Sequence, residues 1–112
     1  AKNHHRFLVM SEKIPFTQRL KDARKRKGLS QKDLGIAAGI DEFSSSARMN
    51  QYEKGTHTPD LTTVENIARA LEIPTAYLFT VEDDLAELIL WYAQLDEEKK
   101  EKLKKEWTEE DN

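Results

Sequence analysis

Arg48, Asn50, Gln51 and Glu53, four side chains that can hydrogen-bond, crowd the stretch SSSARMNQYEKG at residues 44–55. Met49 and Tyr52 stand three apart among them, the spacing of a buried helical stripe. A helix here would be held by Met49 and Tyr52 and would turn its polar side chains to the other faces. Arg, Asn and Gln side chains on such a face can hydrogen-bond the polar edges of a partner. This is the chemistry of recognition. Catalytic chemistry is poorly provided for: with His4 and His5 set aside, His57 is the only remaining histidine, and no nucleophile–base pair or metal-ligand spacing appears. Asp83, Asp84 and Glu87 could hold a cation, but they read better as negative charge at a helix N-terminus. The chain is expected not to be an enzyme and to need no cofactor or metal.

The 112 residues suit one small domain with an appendage, and 38% hydrophobic against 35% charged residues suits a small core. No apolar run reaches the length of a membrane span, no secretory signal pattern opens the chain, and there is no cysteine to form a disulfide or do thiol chemistry. These features lead to the expectation of a cytoplasmic protein that keeps off membranes. The net charge of −3 conceals an asymmetry. Residues 1–58 hold twelve Lys/Arg against six Asp/Glu, and residues 59–112 hold six against fifteen. A basic half points to a polyanionic partner, and an acidic half points away from it.

The elements that must position these groups all read as helices. Residues 1–9, AKNHHRFLV, look like a vector-derived remnant ahead of a natural start at Met10, and they take His4 and His5 with them. Phe16, Leu20 and Ala23 then mark a first helix, with Pro15 at its start and Gly28 as its stop. Ser30 is a natural N-cap for a second, with Asp33 at its third position and Gly39 at its end. The third closes at Gly55. The fourth opens with Asp60 as N-cap and carries Leu61, Val64, Ala68 and Leu71 on one face. A short fifth, TAYLF, follows Pro74. The expected class is all-α, with a domain over 10–80 and a helical extension over 81–112. In the extension Leu85, Leu88, Tyr92 and Leu95 form a stripe beside Ile89, Leu103 and Trp107 sit on a charged helix, and the terminal TEEDN is expected to be disordered.

Residues 16–79 contain RLKDARKRKGLSQKDLGIAAGI, ARMNQYEKGTHTPDL and IARALEIPTAYLF. In this order they resemble the lambda-repressor-like (Cro/repressor, XRE) helix-turn-helix family. The resemblance implies a compact five-helix bundle whose third helix enters the major groove of double-stranded DNA. Matched back from YEKG, the family's base-reading positions fall on Ser46, Ala47 and Gln51, with Ser45 and Arg48 beside them. Specificity would rest on Arg48 and Gln51, although Arg48 could equally hold a phosphate. Gln31, next to Ser30, matches the family's phosphate-binding glutamine at a helix start. Lys54, Thr56 and His57 resemble its backbone-clamping loop. Arg24, on the face turned to DNA, and Glu53 match a family ion pair, and Gly35 holds the place of a small residue where the third helix crosses.

The chain departs from the family between Gly39 and Tyr52, where it has about four residues more than the short form, roughly one helical turn. Either the third helix begins early, capped by Asp41, or a longer loop leads to a cap at Ser44 or Ser45. The three serines favour the loop. Phe43 would then tuck inward or lie exposed against DNA. The expected function is a repressor-like, sequence-specific DNA-binding transcriptional regulator, a homodimer on a palindromic operator. The alternative is an antitoxin or other interaction module that captures a protein partner through residues 81–107. The stripe over 85–95 could instead fold back on Leu71, Leu78 and Phe79.

Overall fold

The computed structural model describes residues 15–110, and among them it holds six α-helices, one 3₁₀ helix and no strand. Residues 1–9, with His4 and His5, lie outside the described residues. The helices are α1 (Phe16–Lys27), α2 (Gln31–Ala37), α3 (Glu42–Lys54), α4 (Leu61–Leu71), the 3₁₀ helix Thr75–Phe79, α5 (Asp83–Ala93) and α6 (Glu97–Glu110). The all-α expectation holds. None of the helices is long and apolar enough to cross a membrane.

Local chemistry sets most of the boundaries. Ser30 Oγ accepts the Asp33 N–H at 3.0 Å and starts α2, and Asp60 does the same for Thr63 at 2.8 Å to start α4. Helix α1 carries four cations in its last turn, Arg24 to Lys27, where they oppose the negative end of the helix dipole. Helix α3 stops at Gly55, whose φ of 79° needs a residue without a Cβ. Its start corrects the sequence reading: α3 begins at Glu42, with Asp41 Oδ2 accepting the Phe43 N–H at 3.1 Å, and no loop leads to a serine cap. The four extra residues form one more helical turn. Serine propensity favoured the loop, but Ser45 is fully buried and its Oγ donates to the Lys32 carbonyl of α2 at 2.6 Å. Tertiary packing overrides a propensity difference of a few tenths of a kcal/mol.

Leu20, Leu34, Met49, Ile67 and Leu78, one from each of the first five helical elements, are fully buried and form the centre of the core. Each such side chain contributes about 1.5–3 kcal/mol by leaving water. Helix α5 closes this core from one side through Ala86, which is fully buried, with Ile89 and Leu90 packed against it. The single stripe read from the sequence is therefore split. Ile89 turns inward, while Leu85, Leu88 and Trp91 turn out and are 44%, 52% and 51% exposed. The segment is apolar nearly all round, so it supports two faces.

Arg19 on α1 fixes how the extension leaves the domain. Its guanidinium donates to the carbonyls of Thr80 (2.9 and 3.1 Å) and Val81 (3.2 Å), pairs with Asp83 (3.0 Å) and lies 5.6 Å from the Tyr77 ring centre. Asp83 is thus partnered by Arg19 and Glu87 by Arg26, and no metal-binding cluster appears among the described residues. Helix α6 continues through Glu110, past the point where the sequence suggested disorder, with Thr108 Oγ1 bonded to the Lys104 carbonyl.

Candidate nucleic-acid interface

Helix α3 shows three different faces. Ser45, Met49 and Tyr52, spaced by four and three, are its buried stripe. A turn of about 100° per residue places Phe43, Ala47, Asn50 and Lys54 on the opposite side. Ser46, Ala47 and Arg48 are exposed, and Gln51 is half-buried at the edge of that surface. The helix therefore offers Ala47, Arg48 and Gln51 within a sector of about 100°, with Ser46 about 100° round from Ala47 on the other side. Ser45 is not among them, because its hydroxyl is spent on Lys32 inside the protein. As a base reader Ser45 is corrected: the early helix start rotates it into the core.

The crossing of α2 and α3 depends on that serine and on Gly35. A Cβ at position 35 would overlap Ser45 Oγ and come within 3.0 Å of Ser45 Cβ. The small residue expected at this crossing leaves room for the Ser45 side chain.

An ion pair sets the pitch of α3 against α1. Arg24 Nε and Nη2 meet Glu53 Oε2 and Oε1 at 2.5 and 3.1 Å, and Arg24 Nη1 donates to the Leu29 carbonyl at 3.0 Å. The Glu53 side chain is only 5% exposed and that of Arg24 13%. Hydrogen bonding to Glu53 raises the Arg24 pKa further above its ordinary value, so the charge is secure. Three of its donors are engaged inside the protein, so Arg24 is a positioning residue here and not a presented phosphate ligand. Gln31 joins the same network: its amide donates to Asn50 Oδ1 and Glu53 Oε1, both at 3.2 Å. Its side chain braces α3, and it is the neighbouring first-turn N–H groups of α2 that lack intrahelical partners. Ser30 is exposed, but its oxygen serves as the α2 cap.

Beyond α3, the N–H groups of Thr56 and His57 converge on the Gln51 carbonyl at 3.1 and 3.4 Å, and Thr56 Oγ1 joins at 3.3 Å. Lys54 at the end of α3 is exposed, as are Thr56 and His57 on this tied-down loop. Two rigid helices at a close crossing, an outward face with polar side chains and a flanking loop next to Lys54 have the geometry of a groove-reading unit.

Comparison with known proteins agrees. The family pattern of a helix-turn-helix domain matches residues 15–78, more than half of the chain. This chain belongs to the helix-turn-helix family. The helix-turn-helix protein is 31% identical over 93 residues to the cryptic phage CTXphi transcriptional repressor RstR of Vibrio cholerae, an alignment covering 79% of this chain and 80% of that one. Its structure matches the crystal structure of transcriptional regulator BswR with a TM-score of 0.78 and 50% identity, over 83% of this chain and 92% of that one.

Two features of the helix-turn-helix unit escaped the sequence reading. Asn50 as the partner of Gln31, and Ser45 as the partner of Lys32, depend on how two helices cross, which no local pattern encodes. The sequence leaves Phe43 either inward or exposed, and the structure places it outward.

Proposed function

We propose that this chain is a repressor-like, sequence-specific transcriptional regulator that reads the major groove of double-stranded DNA with α3. The supporting observation is the exposed Ser46, Ala47 and Arg48 with half-buried Gln51 at their edge, on a helix fixed from behind by Arg24, Glu53 and Gln31. Arg48 and Gln51 carry base discrimination. Lys54, Thr56, His57 and the start of α2 hold phosphates, which position without specifying. The regulatory relatives favour this reading over a protein-capturing module.

Selection of bound sites from random duplex DNA tests the reading directly. The selected duplex should bind with a steep salt dependence, each phosphate contact adding roughly one unit of slope in log K against log salt. Arg48→Ala and Gln51→Ala should each cost about 1–3 kcal/mol at particular base pairs and relax specificity there. Lys54→Ala should weaken all sequences alike. A flat salt response would defeat the electrostatic part. An Arg48→Ala variant that weakens selected and random DNA equally would make Arg48 a phosphate ligand.

The protein acts as a homodimer in this reading, because one small module covers one half-site and rarely binds specifically with high affinity. The outward face of α5 and an apolar groove of about 740 Å³ between α5 and α6, lined by Leu88, Trp91, Leu103 and Trp107 among others, supply the contact. The acidic start of α5 turns this surface away from DNA. Leu88→Asp combined with Trp91→Asp is expected to give a folded monomer with operator affinity reduced at least about tenfold, read by light scattering and gel shift. A double variant that stays dimeric removes α5 from the interface.

A further inference from the structure

Phe43 is 97% exposed on the first turn of the reading helix, the most exposed large apolar side chain among the described residues. Large exposed apolar groups scattered singly are ordinary, so exposure alone decides nothing. Position does. Phe43, Ala47, Asn50 and Lys54 follow one another at spacings of four, three and four along the side of α3 opposite the buried stripe. Phe43 therefore continues the surface already assigned to the groove, one turn further toward the helix start. No other described residue covers it, and its own N–H is anchored by Asp41 at 3.1 Å, so the turn that carries it is formed before any DNA is met.

We infer that Phe43 is an additional specificity residue that contacts thymine 5-methyl groups at the outer edge of the half-site. The inference rests on the DNA-reading role proposed above for α3. Four residues of helix place Phe43 about 6 Å beyond Ala47 along the axis, against a base step of about 3.4 Å. The contact thus falls one to two base pairs outside those read by Ala47. A phenyl ring has no hydrogen bond to offer a base edge, and the apolar feature of the major groove is the thymine methyl. The charge of its turn disfavours a phosphate as the neighbour: Asp41 and Glu42 immediately precede Phe43, and Glu42 is only loosely balanced by Lys32 at 3.8 Å. Like charge repels a phosphate placed beside this turn.

The test uses the full chain, wild type and Phe43→Ala, in parallel selections from random duplex DNA, followed by binding to the wild-type consensus. Thymines at the outer edge are then replaced one at a time by deoxyuridine, which deletes the methyl and leaves pairing unchanged. For the wild type, one such replacement should weaken binding about three- to tenfold. For Phe43→Ala the same replacement should have no effect, and its selected sites should lose the outer A·T preference while keeping the inner one. Phe43→Leu should retain part of the preference. Phe43→Ala should unfold at the wild-type temperature, as befits a fully exposed side chain. Identical selected sites for wild type and Phe43→Ala would overturn the proposal. So would a uniform loss on all sequences, or a methyl effect that persists without Phe43, while each of these leaves groove reading by α3 intact. A wild type that enriches no sequence overturns both together.

Discussion

Arg24→Ala should lower stability by about 3 kcal/mol and abolish specific DNA binding. The substitution leaves the Glu53 carboxylate nearly buried with only the Gln31 amide for a partner. Removing one member of a buried pair costs about 3–5 kcal/mol, mostly from the charge left behind, and the slight exposure of this pair places it at the lower end. In a domain of this size the midpoint of thermal unfolding should fall by more than about 10 °C. Replacing both partners together, Arg24→Met with Glu53→Leu, should recover most of that stability, because no charge is stranded. It should not recover operator binding, because apolar contact does not fix the angle of α3 as a two-point bond does. Calorimetry and gel shifts on the three variants separate the two effects. A single Arg24→Ala variant that melts with the wild type would show that the pair carries no load in solution.

Gly35→Ala should destabilise the protein by about 1–2 kcal/mol, against the usual sign for this substitution inside a helix. Propensity alone would favour alanine by about 1 kcal/mol. The added methyl, however, meets Ser45 Oγ, which is locked on the Lys32 carbonyl. Making room means breaking that buried hydrogen bond and levering α3 away from α2, and overpacking of this kind costs about 1–3 kcal/mol or more. DNA affinity should fall further than stability does, since the displaced element is the reading helix. Ser45→Gly in the same chain removes both the Oγ and the Cβ that clash, and should restore much of the stability. Chemical denaturation of the single and double variants reads this out, and a stabilised Gly35→Ala protein would refute the close crossing.

The sequence was legible where structure is decided within a few residues. Ser30 and Asp60 cap the helices they were expected to cap, Gly28 and Gly55 end theirs, and Met49 and Tyr52 are buried as their spacing implies. The reading was weaker where two local preferences competed. Asp41 and the serines were both plausible caps, and the outcome was set by a bond from Ser45 to a carbonyl thirteen residues away. It failed to anticipate pairs that sequence separation hides, such as Arg19 with the carbonyls of Thr80 and Val81 more than sixty residues on. For the candidate site, the resemblance pointed to Gln51, Arg48 and Lys54, of which Arg48 and Lys54 are exposed on α3 and Gln51 is half-buried. It could not show that Ser45 faces inward or that Arg24 is consumed by Glu53. The apolar run in α5 left both placements open for a related reason: with two usable faces, periodicity alone does not say which one meets the domain.

The Arg19 joint has a consequence for DNA geometry. In the dimer proposed above, α5 holds the partner and α3 reads the base pairs, so the joint sits at the pivot of a lever arm. The two reading helices of such a dimer stand about 34 Å apart. A swing of about 10° over half that length carries a reading helix about 3 Å sideways, nearly one base step of about 3.4 Å. Several bonds from one guanidinium to both sides of the pivot therefore act as an angular tolerance. The gap between half-sites in the selected DNA becomes a ruler for it, set by an arginine that touches no nucleotide.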